Sequence, residues 1–150
     1  MDNAIPFPQA DDFEKVISLL KIDDEEDLQS NMKISIQLGE ITDRQVNYYL
    51  SAAAYLGLIE GRKYTELGKK IREYDLIEQR IELIRLILSD EVFGTIYITE
   101  KRLGIKLSKE EIIDIMKKTV SFNSEEMFKR RAQTVASWVA WIHNELNDNV

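Results

Sequence analysis

The sequence predicts a mostly α-helical protein with one small β-hairpin, built as two packed halves. Three observations predict it. Glycine and proline are scarce, 6 and 2 in 150 residues, and both prolines lie near the start. Apolar residues recur at helical spacing through nearly everything that follows them. Helix-start signatures at Thr42, Ser108 and Asn123 then cut the chain into segments of helix length. On this basis residues 1–9 form an N-terminal arm, 10–75 the first half and 76–150 the second.

Each element has its own signal. Phe13, Val16, Ile17 and Leu20 share one helical face, giving a first helix over about 10–22. The run Asp23-Asp24-Glu25-Glu26-Asp27 reads as a solvated turn and the acidic start of a second helix, where negative charge suits the helix dipole. That helix holds Leu28, Met32, Ile34 and Ile36 and stops near Gly39. Thr42-Asp43-Arg44-Gln45 is a capping box and opens a third helix over about 43–57. Its core line is Val46, Leu50 and Ala53 or Ala54, and Gly57 ends it. Leu58 and Ile59 make a short strand, Glu60 to Lys63 a turn, and Tyr64 the return strand. Thr65 caps the next helix. Three helices followed by a small hairpin is the order of a winged helix-turn-helix.

The second half continues the helical theme. LIEQRIELIRLILSD places Ile81, Ile84, Leu86 and Leu88 on a buried face. EVFGTIYITEKRLG is a further helix or helical turn closed by Gly104. Ser108-Lys109-Glu110-Glu111 is a capping box ahead of Ile112, Ile113, Ile115 and Met116. The last helix starts near Asn123-Ser124 and buries Phe128, Ala132, Val135, Trp138, Ile142 and Leu146. Trp138 and Trp141 pack on the first helix of this half or between the halves. Four residues beyond Leu146 leave no room for a second wing, so the second half is winged-helix-like without one.

Composition limits the function. Hydrophobic residues make up 44% of the chain, enough for a packed core, and cysteine is absent, which removes disulfides and thiolate metal sites and fits a reducing cytoplasm. No apolar run approaches the roughly 18–20 residues of a membrane span. MDNAIPFPQADD has neither a basic start nor an apolar stretch, so no signal peptide is expected. The formal net charge is -7. It resides entirely in residues 1–27, which hold nine acidic and two basic side chains, while the rest carries 18 of each. Screening over about 8 Å makes the position of charges matter more than their total.

The third helix then carries the main functional expectation. In a helix-turn-helix the second helix of the pair enters the major groove and touches bases with its first residues. Arg44 can fork onto guanine and Gln45 onto adenine. Asn47, Tyr48 and Tyr49 can add base, sugar or phosphate contacts, although one of the two tyrosines is expected to roof the core. Arg62 and Lys63, at the hairpin, can reach a phosphate or the minor groove. In the second half Lys129, Arg130 and Arg131 cluster near a helix start, a setting that favours phosphate. Lys129, Arg130 and Gln133 fall on the exposed side. Arg131 lies at the core boundary, stacked on Trp138 or paired with a carboxylate.

Catalysis is not expected. A Gly-rich phosphate loop and a cysteine nucleophile are both missing, and no carboxylate pattern marks a metal site. His143, the single histidine, reads as a surface or boundary residue. No metal and no cofactor are expected. A protein-interaction or dimerisation role competes with DNA binding, using the acidic first 27 residues and Tyr48, Tyr49 and Trp141; a homodimer fits either.

The stretch RQVNYYLSAAAYLGLIEGRKYTELG resembles the winged-helix modules attached to type II restriction endonucleases and found alone beside prokaryotic defence genes. The matching residues are Arg44, Gln45, Tyr48, Tyr49, Tyr55, Leu56, Gly57, Leu58, Thr65 and Gly68. ILSDEVF, LSKEEIIDIM and KRRAQTVASWVAWI extend the similarity over about residues 10–146. A related pairing occurs at the C-terminus of some transporter-type ATPases. The resemblance implies recognition of a double-stranded DNA target by tandem winged-helix units, with cleavage by a separate nuclease domain or subunit. This chain departs from the pattern in carrying no catalytic domain.

Overall fold

The computed structural model describes residues 5–150. The expected arm over residues 1–9 therefore lies partly outside the described residues. The chain divides into two compact units, one ending at Glu82 and the other starting at Leu83. The elements are mostly helices, with a single two-stranded antiparallel hairpin among the described residues.

The first unit begins with α1 (Phe13–Leu19), whose N-cap Asp12 accepts from the Glu14 amide. It is shorter than the expected span of 10–22. Leu20 and Ile22 remain buried after the helix has ended, so the apolar spacing outlasts the helix itself. The orphan carbonyls there are satisfied from elsewhere. Tyr64 donates its hydroxyl to the Leu19 carbonyl. Arg72 donates to Leu20 at 2.9 Å and to Ile22 at 2.6 Å while lying over the Tyr64 ring.

The single acidic helix expected to run to Gly39 is in fact two. A 3-10 helix (Glu25–Gln29) stops at Ser30, whose backbone is extended and whose side-chain hydroxyl caps α2 (Asn31–Gln37) by accepting from the Lys33 amide. Of its apolar residues Leu28 and Ile34 are buried, whereas Met32 and Ile36 are exposed.

The capping box opens α3 (Asp43–Tyr55) as expected, with both reciprocal hydrogen bonds present. Val46, Leu50, Ala52 and Ala53 face inward, and α1 and α2 both pack on this helix. Alanine at 52 and 53, each fully buried, gives little bulk where the helices meet. Tyr49 is the tyrosine that roofs the core; its hydroxyl accepts from the Asp12 amide at 3.0 Å.

The hairpin pairs β1 (Ile59–Glu60) with β2 (Lys63–Tyr64), one residue later than the expected start at Leu58. Its two-residue turn puts Gly61 at φ 56 and Arg62 at φ 59. Positive φ at both central positions matches the right-handed twist of the strands. The helix α4 (Glu66–Arg72), capped by Thr65, then approaches the hairpin so closely that a Cβ on Gly68 would lie 2.1 Å from the Leu58 carbonyl oxygen. Only glycine fits this contact.

Next comes α5 (Leu76–Leu88), which crosses the boundary between the units. Its buried line is Gln79, Leu83, Ile84 and Ile87, and the expected Ile81 is 46% exposed. Leu86 and Leu88 are only half-buried. The segment is apolar on more than one side, so periodicity alone does not choose the inward stripe.

The second unit contains α6 (Glu91–Leu103), α7 (Lys109–Met116) and α8 (Glu125–Leu146). Gly104 closes α6 in the left-handed conformation, and Ser108 with Glu111 forms the expected capping box of α7. Ser124, rather than Asn123, caps α8. Trp138 is fully buried and stacks on Phe93 of α6, with centroids 5.0 Å apart. Burial of one such large side chain contributes on the order of 2–3 kcal/mol. Leu146, expected inside, is 45% exposed because it occupies the last turn before Asn147 reverses the chain.

Candidate nucleic-acid interface

The first turn of α3 stands clear of the core. Arg44, Gln45 and Asn47 are exposed and Tyr48 is half-buried. Arg44 donates its Nε to the Tyr48 hydroxyl at 2.9 Å, with the guanidinium carbon 5.5 Å from the ring centroid. The two residues are one helical turn apart, so the pair forms along the helix surface.

Gln45 is less available than its exposure suggests. Its side-chain oxygen accepts from the Thr42 amide at 3.0 Å and from the Thr42 hydroxyl at 3.4 Å. Adenine recognition needs that oxygen as an acceptor, so base reading by Gln45 would dismantle the cap. Asn47 is also engaged, through a long contact of 3.5 Å from Arg62.

Arg62 does more for the fold than its place at the hairpin tip suggested. Its Nη1 donates to the Leu28 carbonyl at 3.2 Å, and its own carbonyl accepts from Gln29 at 3.3 Å. The guanidinium thus ties the hairpin to the 3-10 helix and to α3. Lys63 is exposed on β2, opposite Glu60.

The acidic run borders the hairpin too. Glu25 accepts from the Tyr64 amide at 2.8 Å, and Asp27 pairs with Lys33 at 3.0 Å, which raises the lysine's pKa through that hydrogen bond. Negative charge therefore stands beside the strand that carries Lys63.

In the second unit several cations near the start of α8 have carboxylate or side-chain partners. Lys129 lies 3.6 Å from Glu126, Lys117 pairs with Glu125, and Lys109 donates to Gln133. Arg130 is half-buried and reaches Thr134 at 3.4 Å. Arg131 sits at the core boundary as expected, with its guanidinium 4.8 Å over the Phe122 ring, while Phe93 stacks on Trp138. A groove of about 310 Å³ near these residues is lined by Lys109, Lys117 and Lys129 together with Glu110, Asp114 and Glu125. Its alternating charge is a poor cradle for phosphate.

The sequence reading missed one constellation altogether. His143 is not at the surface: its side chain is 5% exposed and held at both ring nitrogens. Nε2 lies 3.0 Å from Glu100 and Nδ1 lies 3.0 Å from Asp148. Tyr97 donates to Asp148 at 2.7 Å and stacks on the imidazole, while Lys101 donates to the other Asp148 oxygen at 2.6 Å. Glu100 also accepts from the Leu107 amide. Asp148 is held well below the usual carboxylate range, first by Lys101 and then by Tyr97, and Tyr97 is pushed up to about 12 by burial and by Asp148. The available signal was Tyr97, Glu100 and Lys101 at helical spacing on α6, with Tyr97 and Glu100 facing inward and Lys101 at the exposed edge. Among the described residues, no group of three or more His, Cys, Asp or Glu is arranged to hold a metal. No helix there is long and apolar enough to cross a membrane.

A family model described as Domain of unknown function (DUF7226) matches residues 15–147. No curated protein and no solved structure matches the chain.

Proposed function

We propose that this chain, which belongs to the DUF7226 family, binds double-stranded DNA sequence-specifically through α3 and the hairpin. In this reading the first unit is a winged helix-turn-helix: α2 and α3 form the pair, α3 enters the major groove and residues 59–64 are the wing. The observation that carries it is Arg44, exposed on the first turn of α3 with a phenol and no carboxylate as its partner among the described residues. Asn47, Tyr48 and Lys63 flank it, and charge outside residues 1–27 is balanced. The resemblance to restriction-linked modules supports a role in target recognition in a restriction-type or defence system, with any cleavage done by a separate domain or subunit.

Selection of the full chain against a random duplex pool at low salt tests the proposal. The expected result is enrichment of one motif and a logarithm of affinity that falls linearly with log salt. A pool recovered unchanged, or no binding at the lowest salt, would overturn it.

Protein docking is the second reading, favoured by the acidic 3-10 helix stapled to the hairpin through Glu25 and Tyr64. A basic protein partner lost on Glu26→Lys, in a chain that binds no duplex, would decide for it.

A further inference from the structure

Resting on the duplex-binding reading, we infer that α3 recognises a guanine with the outer end of the Arg44 guanidinium, that Tyr48 is the residue positioning it, and that neither Gln45 nor Asn47 reads adenine. The argument follows from which donor and acceptor atoms the fold has already used.

Arginine can approach a base edge in two ways, side-on through Nε and one Nη, or end-on through both Nη groups. Tyr48 accepts from Nε at 2.9 Å, which closes the side-on approach and leaves the end-on pair. Two parallel N–H donors match the O6 and N7 acceptors of guanine. Adenine presents a donor where guanine has O6, so the same pair meets one acceptor and one repulsive N–H. Thymine offers a single acceptor beside its methyl group, and cytosine a donor.

The neighbouring amides are spent differently. A glutamine or asparagine fork onto adenine needs its carboxamide oxygen to accept from N6. In Gln45 that oxygen is held twice by Thr42, and in Asn47 it accepts from Arg62. Releasing Gln45 would leave the Thr42 amide without its partner at the helix start, a cap interaction of about 1 kcal/mol. Arg44 is therefore the side chain on this turn whose reading edge the fold leaves open. The Tyr48 hydroxyl, having accepted from Arg44, keeps its own proton to donate to a phosphate oxygen.

The experiment compares motifs selected by the full chain and by three variants from one random duplex pool, and then measures affinity for the winning duplex. The wild-type motif should contain a guanine whose replacement lowers affinity roughly ten-fold or more. Arg44→Ala, which removes both outer donors, should lose that preference while still binding duplexes. Tyr48→Phe keeps the ring and removes the hydroxyl, and should weaken the guanine preference about three-fold or more. Gln45→Ala should leave base preference unchanged while lowering thermal stability. A guanine analogue with carbon in place of N7 supplies a second readout: it should weaken the wild type and make no difference to Arg44→Ala. A selected motif without guanine dependence, an unchanged preference in Tyr48→Phe, or an adenine position lost in Gln45→Ala overturns this inference and leaves duplex binding standing. Absence of any duplex binding by the wild type overturns both.

Discussion

At the start of α3 the guanidinium of Arg44 is held by a phenol, whereas at the start of α8 the ammonium of Lys129 lies 3.6 Å from Glu126. The capping boxes of the two units differ in the same sense. In α3 the reciprocal residue is the neutral Gln45; in α7 it is Glu111, whose carboxyl is lowered by the Ser108 backbone and hydroxyl. An anionic cap answers the partial positive charge of a helix start from within. A neutral cap leaves more of it for a partner, although Asp43 offsets part of the difference in α3. Local motifs that look alike in sequence thus prepare one helix start for an external anion and close the other.

The largest expected effect lies in the second unit, where charge is satisfied internally. His143→Ala removes a hydrogen-bond partner from Glu100 and from Asp148, which keep the Leu107 amide and the Lys101 and Tyr97 donors. It also leaves a cavity under the Tyr97 ring, and the two losses together cost about 2–5 kcal/mol. Urea unfolding measures it, and a loss below about 1 kcal/mol would show that the network contributes little.

The same network sets a pH response. A carboxyl depressed by folding gives stability that is complete above its ordinary range, near 4, and disappears as pH falls toward the folded value. Asp148 therefore contributes to the acid limb of the melting profile, and Asp148→Asn should flatten it. Tyr97 behaves with the opposite sign. Its value is raised to about 12, so its contribution is intact below the ordinary phenol range and is lost as pH rises through about 12. Melting temperatures across pH for wild type and Tyr97→Phe check the alkaline limb.

A smaller effect belongs to the first unit. Gly68→Ala forces a Cβ against the Leu58 carbonyl, which cannot swing aside as a side chain would. Overpacking of this kind costs about 1–3 kcal/mol, read by urea unfolding together with the far-ultraviolet spectrum. An unchanged midpoint would mean that the hairpin yields easily.

The finest test is the salt slope of duplex binding. Lys63→Ala should reduce the slope by about one, as loss of a single phosphate contact does. Lys129→Ala should change it less, since Glu126 already faces that ammonium. Equal slopes would erase the contrast between the units.

Much of this was legible because capping is local. Thr42 with Gln45 and Ser108 with Glu111 lie three residues apart, and their hydrogen bonds need nothing beyond the first turn. Thr65 and Gly104 were readable for the same reason. Other features depend on residues far away in the chain. The break at Ser30 is invisible in an acidic, helix-permissive run until the cap forms. In α5 the inward stripe is chosen by packing, because both sides are apolar. Arg62 reads as a tip cation until the Leu28 carbonyl appears beside it, 34 positions earlier. His143 has Asp148 five positions on, but its other partner, Glu100, is 43 positions away, and neither residue marks the network without α6 packed against α8.

The hairpin turn has a practical consequence for anyone stabilising this chain. Arg62 occupies a left-handed backbone position that asparagine or glycine adopts with less strain, so a consensus approach would replace it. Such a change relaxes the loop yet cuts the tether from strand to 3-10 helix, and removes the hydrogen-bond donor that engages Asn47. Freed of that donor, the Asn47 amide would gain an adenine-compatible edge. A substitution chosen for rigidity would then redraw the chemical lettering of the helix beside it.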